Sequence, residues 1–243
     1  MSHSGEESAA REELDVAQAG KSGGGFGPKA RSFFEGLEND NSKEYWTANK
    51  AIFEEVVKEP MAALVESLPE KYQPLKVFRM NRDIRFSADK SPYKTQHGAA
   101  HEAGGTVHYV HVDSRGLMAA CGAYMMAPDQ LERYRQAVAD DTTGVELDSI
   151  LRRLDQDGFE VGHGMGEALK TAPRGYPKDH PRVDLLRQKA LSAHRRLTAA
   201  SKLRSADAVR EFVVETFQAC APLNAWIVAN IGRTTMEMPR RGR

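Results

Sequence analysis

Residues 79–94 concentrate the chain's ionic chemistry: Arg79-Met-Asn-Arg82-Asp83-Ile-Arg85-Phe86-Ser87-Ala-Asp89-Lys90-Ser-Pro92-Tyr93-Lys94. Five of these sixteen side chains are basic and two are acidic, with Phe86, Pro92 and Tyr93 between them. A guanidinium is a fixed charge on a planar donor fork and an ammonium is a point charge, so such a cluster suits a carboxylate or a phosphate. If the segment is extended, Arg79, Asp83 and Arg85 share one face while Arg82 and Phe86 take the other. The competing reading is architectural. Asp83 and Asp89 would pin the Arg side chains, with Phe86 and Tyr93 packed in the core.

A second polar stretch follows at Leu169-Lys170-Thr-Ala-Pro173-Arg174-Gly175-Tyr176-Pro177-Lys178-Asp179-His180-Pro181. Lys170, Arg174, Tyr176 and His180 surround Gly175, which permits a tight turn. Long ordered loops often carry function, although a rigid surface loop ending in a helix N-terminus would look the same. His97, His101, His108 and His111 invite a metal reading, but strand geometry opposes it. His108 and His111 would face opposite sides, and His97 and His101 on one strand would stand about 13 Å apart. Zinc needs three or four ligands within about 2.3 Å of one point. The Gly162-His-Gly-Met-Gly166 run lacks dinucleotide-loop spacing and the P-loop Lys-Ser/Thr, and no Gly-x-Ser-x-Gly elbow occurs. No metal site and no cofactor is expected.

The elements that must hold these residues follow from periodicity. Pro28 suits a first helical turn, and Ala30, Phe33, Phe34 and Leu37 form one apolar face. Asn39-Asp-Asn41 breaks that helix, and Ser42 caps the next, which carries Tyr45, Trp46, Asn49, Phe53, Val56 and Val57. Pro60 should end or kink it. Leu75–Arg79 reads as a strand, Asp89–Pro92 as a turn, and Thr106–Val112 and Leu117–Met125 as a hairpin around Asp113-Ser-Arg-Gly116. Small residues at Ala119, Ala120, Gly122 and Ala123 suggest close cover by a helix. Helical spacing returns at Leu131, Tyr134 and Val138 and at Leu147, Ile150, Leu151 and Leu154, with a short strand near Phe159–Val161. Leu186, Ala190, Ala193 and Leu197 read as a helix, as do Val209 to Cys220 and, after a break at Pro222, Leu223 to Ile231. Helices, then strands, then helices predict one α+β domain with a central antiparallel sheet flanked by helices from both ends of the chain.

Composition bounds the function classes. The 243 residues are 40% hydrophobic and 28% charged, ordinary for a globular protein. Lys+Arg and Asp+Glu both number 34, which argues against bulk attraction to nucleic acid or an acidic membrane. The zero hides an asymmetry. Residues 1–25 hold five acids and two bases, leaving 32 bases against 29 acids beyond them. That stretch is rich in Ser, Glu and Gly and is expected to be a disordered tail. Residues 26–232 are expected to form the domain, and 233–243 a basic tail. Cys121 and Cys220 lie among apolar residues and read as buried thiols in a reducing cytoplasm. No apolar leader opens the chain, and the stretch Leu117–Ala127 is too short to span a bilayer.

The run Phe78 to Lys94 resembles the signature of the domain of unknown function 2461, a family of conserved hypothetical proteins found in bacteria and fungi. The family pattern Arg-Asp-hydrophobic-Arg-Phe-Ser-x-Asp-Lys-x-Pro-Tyr-Lys is met from Arg82 to Lys94. Its later element is met by Leu169, Lys170, Pro173, Gly175, Tyr176, Asp179, His180 and Pro181, and Trp46 and Pro60 fit an early aromatic helix. Ala88 stands where a Lys is frequent, and Asn39-Asp-Asn41 replaces a more usual Asn-Asn. The resemblance covers about residues 26–232. It implies a compact α+β domain and no established activity, and it places the two polar segments in one signature.

From these readings comes a pocket expected to bind a small phosphorylated or carboxylate ligand. Arg79, Arg82, Arg85, Lys90 and Lys94, with Asp83, Asp89 and Tyr93, are its candidates on one side, and Lys170, Arg174, Tyr176 and His180 on the other. Two alternatives stand beside it. One is an enzyme doing phosphoryl or acyl chemistry, with Asp83, Asp89, Tyr93 or His180 as general acid or base. The other is a nucleic-acid or protein binding module using basic residues and stacking aromatics, against which zero net charge weighs.

Overall fold

The computed structural model describes residues 25–85, 89–162 and 168–236. The expected tail over 1–25 falls, but for Gly25, outside them. So do Phe86, the Gly162–Gly166 loop beyond Gly162, and the last seven residues.

The fold is α+β, with an antiparallel six-stranded sheet. Helix α1 (Pro28–Asn39) buries Ala30, Phe33, Phe34 and Leu37, the face read from the sequence. Ser42 caps α2 (Lys43–Phe53) by accepting a hydrogen bond from the Tyr45 N–H at 3.0 Å. Of the two outcomes expected at Pro60, an end or a kink, the end does not occur. The chain widens into a π turn over Glu54–Lys58, closed by the Glu59 N–H on the Glu54 carbonyl, and continues as α3 (Glu59–Ser67). The wider turn accommodates a residue that lacks an N–H and crowds the preceding carbonyls.

The strands are β1 (Lys76–Val77), β2 (Gln96–Ala103), β3 (Thr106–Asp113), β4 (Gly116–Ala123), β5 (Glu160–Gly162) and β6 (Leu191–Leu197), in the order β1-β2-β3-β4-β6-β5. β1 is shorter than the expected Leu75–Arg79. β5 is the short strand anticipated, and it pairs Val161 with Ala193. β6 corrects the sequence reading. Leu186, Ala190, Ala193 and Leu197 have helical spacing, yet only α6 (Val183–Leu186) is helical there. Leu191 and Ala193 are buried while Ser192 and His194 are only half-buried, which is the period of a strand. The small residues of β4 have a reason besides a covering helix: a side chain on Gly122 (φ +128) would strike the Leu191 carbonyl of β6.

The remaining helices are α4 (Pro128–Ala139), α5 (Thr143–Gln156), α7 (Ala200–Leu203), α8 (Ala206–Ala219) and α9 (Ala221–Asn230). The break between the last two falls at Cys220, with Pro222 inside the first turn of α9. Residues pack into two compact units. Unit 1 takes Met1–Ala99, Val110–Met118 and Arg196–Val214, and unit 2 takes Ala100–Tyr109, Ala119–Arg195 and Glu215–Arg243. Unit 1 centres on Phe26, Phe33, Phe34, Leu37, Val57 and Met61. Unit 2 centres on Tyr134, Leu147, Phe217, Leu223 and Ile227, and contains Cys121 and Cys220, both buried with free thiols. Among the described residues no single helix is long and apolar enough to cross a membrane.

Candidate functional site

The basic segment folds as an arm of unit 1 that leaves β1 and returns to β2. Its base is a small antiparallel ladder: Asn81 bridges Tyr93, the Arg82 N–H donates to the Pro92 carbonyl, and the Lys94 N–H donates to the Met80 carbonyl, each of the two bonds at 2.9 Å. Asn41, in the break between α1 and α2, holds the arm down. It accepts from the Tyr93 N–H at 2.9 Å and donates to the Tyr93 carbonyl at 3.2 Å, as a neighbouring strand would. The Tyr93 ring stacks on Trp46 with centroids 4.6 Å apart, within a cluster that includes Phe33 and Phe53. A buried aromatic anchor on a two-bond backbone clamp fixes where the basic side chains begin.

Those side chains fall into two groups. Arg82 ion-pairs with Asp89 across the arm, and Arg85 forks onto Asp83 at 2.9 and 2.6 Å. The Arg85 hydrogen bonds bring the Asp83 carboxyl down to about 2. Asp89 is lowered by its bonds from Ser91, with Arg82 adding to the effect. So the architectural reading holds for these two pairs, but they lie in solvent: exposure is 57% and 47% for Arg85 and Asp83, and 30% and 52% for Arg82 and Asp89. The second group is Arg79, Lys90 and Lys94. Among the described residues no carboxylate lies within ion-pair distance of any of them. Lys90 caps the Ile84 carbonyl at 3.0 Å. Lys94 donates to the Arg79 carbonyl at 2.8 Å with its ammonium 5.4 Å from the centre of the Phe78 ring. Its pKa is lowered by partial burial first and then by the charges of Arg79 and Arg82.

One neighbour was singled out in the sequence only as a rejected metal ligand. His97, the second residue of β2, is 4% exposed, and neither ring nitrogen has a hydrogen-bond partner among the described residues. Its ring meets the edge of Phe53 at 5.2 Å. Burial, then Lys94 and Lys58, depress its pKa to about 4. The π turn thus ends in a residue, Lys58, whose charge reaches this histidine. Among the described residues no group of three or more His, Cys, Asp or Glu is placed to hold a metal.

The second segment belongs to unit 2, and its chemistry is directed inward. Arg182 is buried, donating to the Val138, Ala139 and Asp140 carbonyls at the end of α4 and to Asp141. His180 helps aim it, its Nδ1 accepting from the Arg182 N–H at 3.0 Å. Arg187 closes the base of the loop on the Leu169 and Lys170 carbonyls. Lys170 and Arg174 are exposed and Tyr176 is half-buried, its pKa raised mainly by desolvation. Sequence reasoning passed over Arg182 and Arg187 because a guanidinium bound for backbone carbonyls has no sequence signature. The acid–base candidates of the enzymatic alternative are also occupied: Asp83 and Asp89 by arginines, His180 Nδ1 by a backbone N–H, while the Tyr93 ring is buried, which also removes it as a stacking platform.

Two other features of unit 1 lie apart from the arm's side chains. Asp113 is buried and takes Arg196 in a fork at 3.0 Å, with Arg115 at 3.1 Å and His111 at 3.3 Å. Burial alone would raise its pKa, but the hydrogen bonds from His111 and Arg196 hold it well below the usual carboxylate range. A hollow of about 290 Å³ opens between the start of α1 and α7, lined by Phe26, Arg31, Ser32, Glu35 and Leu203 among others. It contains none of the residues selected from sequence, and its opposed charges, Arg31 and Glu35, favour neither sign of ligand.

No curated protein and no solved structure matches the chain. Residues 29–226 match a family model described as "Conserved hypothetical protein (DUF2461)", a span that holds both polar segments, the Asn41 clamp and the π turn. The chain belongs to the DUF2461 family.

Proposed function

We infer that the arm of unit 1 is an anion-binding element, acting in the cytoplasm on a small phosphorylated or carboxylate-bearing molecule. The observation that carries this reading is the state of Lys94. Its ammonium is partly desolvated, stands in the repulsive field of Arg79 and Arg82, and among the described residues hydrogen-bonds a neutral carbonyl and no carboxylate. A cation kept in such a field gains from any anion that arrives, because the anion relieves repulsion as well as adding charge-assisted hydrogen bonds. Arg82 contributes despite Asp89, since an exposed pair is worth little and an incoming oxyanion competes on equal terms. Clamped by Asn41 and Trp46, the arm loses little further freedom on binding, which favours affinity. The buried thiols Cys121 and Cys220 agree with a reducing compartment.

Titration calorimetry with phenyl phosphate and benzoate at low ionic strength tests the reading. Binding of either should weaken with salt, and Lys94→Met should weaken it about tenfold, the equivalent of one charge-assisted hydrogen bond. Affinity unchanged in Lys94→Met and in Arg79→Met would remove the arm from consideration.

A further inference from the structure

His97 is the unexplained group of unit 1. A buried imidazole with neither nitrogen hydrogen-bonded among the described residues is costly, and native proteins seldom retain one without a use. It also lies within the electrostatic reach of two cations, Lys94 at the base of the arm and Lys58 at the end of the π turn, and its ring stands nearly perpendicular to that of Phe53, with centroids 5.2 Å apart. Lys58 is paired to Glu54 at 2.6 Å, but both of those side chains are about half exposed. π turns inside α-helices recur at functional sites, and this one starts just after Phe53, which packs on the His97 ring, and ends at Lys58, whose charge reaches it.

We propose that an anion bound at the arm is taken up together with a proton on His97, so that Lys94, Lys58 and the imidazolium act as one cationic group toward a doubly charged ligand. This rests on the anion-binding reading. The physical sequence is short. Without an anion, a proton on His97 would add a third positive charge to the field of two others, at a buried position. An anion at Lys94 cancels the larger of the two repulsions, so the imidazole binds a proton from solvent more readily. By linkage, the protonated form binds the anion more tightly by the same factor. The sign is fixed by this scheme: affinity for a dianion rises as pH falls below neutrality and levels off once His97 is protonated in the free protein. Asp83 and Asp89, both with lowered pKa values, stay ionised through most of that range and add little of their own. A doubly ionised phosphate monoester or a dicarboxylate is favoured over a monoanion.

Sulfate is the probe, because it does not titrate between pH 4 and 8. Titrated into the full chain near pH 5.5 in two cationic buffers of different ionisation enthalpy, it should bind with net proton uptake and more tightly than near pH 7.5, by about fivefold. His97→Gln should bind sulfate with no uptake and little pH dependence, and His97→Phe serves if that variant folds poorly. The wild-type His97 ring signals, followed by NMR, should titrate at higher pH with sulfate than without it. Sulfate binding without proton uptake, or with equal uptake in the His97 variants, overturns this inference and leaves the anion site standing. Absence of sulfate binding at low salt at both pH values overturns the anion site itself, and the proton linkage with it.

Discussion

The arm and the 169–187 loop are both rich in Arg and Lys and both broken by proline, yet they use their cations in opposite ways. In the loop, Arg182 and Arg187 turn inward and end on backbone carbonyls, closing the last turn of α4 and the base of the loop itself. In the arm, backbone and aromatic contacts do the holding, through Asn41, Tyr93 and Trp46, and among the described residues the charges pair with exposed carboxylates or with no carboxylate. The difference teaches where to look for a ligand. A guanidinium that completes a helix end is architecture, because the carbonyls it serves have no alternative partner. An ion pair between a guanidinium and a solvent-exposed carboxylate contributes little to stability.

That contrast can be broken by substitution, beginning with the largest effect. Arg182→Met should destabilise the protein by about 3 kcal/mol, since it leaves several carbonyls at the end of α4 without donors. Asp141, 97% exposed, contributes little to that figure. Chemical denaturation measures it, and a loss under about 1 kcal/mol would mean water serves those carbonyls equally well. Asn41→Ala should cost about 2 kcal/mol, two hydrogen bonds to the Tyr93 backbone, and should speed amide exchange at residues 80–82, 93 and 94 ahead of the rest of unit 1.

His97 gives an effect that depends on pH. Its folded pKa of about 4 lies below the ordinary 6.5, so between those values the unfolded chain binds the extra proton and stability falls as pH falls. The loss should approach about 3 kcal/mol by pH 4, and His97→Phe, already more stable at neutral pH, should not show that component. An identical acid profile in the variant would assign the loss elsewhere. The smallest effect belongs to Arg85→Met. With the pair to Asp83 half exposed, its removal should leave the melting temperature almost unchanged, and a large fall would return the arm to the architectural class.

How far the sequence was legible follows the same line. Faces built from large apolar residues were readable: Phe33, Phe34 and Leu37 of α1, and Leu147, Leu151 and Leu154 of α5. β2 was not, because Gln-His-Gly-Ala-Ala-His-Glu-Ala has no β-branched residue and is a strand only through its neighbours. Gly98 sits there because a side chain would strike the Val110 carbonyl of β3. β6 was misread because Leu186, Ala190, Ala193 and Leu197 satisfy a helical period while Leu191 and Ala193 satisfy a strand period, and short apolar runs do not separate the two. Both polar segments stood out by charge and spacing. What distinguishes them, the destination of each guanidinium, is a tertiary fact. So is the isolation of His97, which depends on Phe53 and Lys58 some forty residues earlier.

The central claim, that the arm and not the loop meets an anion, is most directly tested by mapping amide shifts during a sulfate titration at low salt. The account predicts saturable shifts at Arg79, Lys94 and His97 with Lys170–Arg187 unmoved. Shifts centred on Lys170, Arg174 and His180, or a uniform drift with no saturating residue, would contradict it.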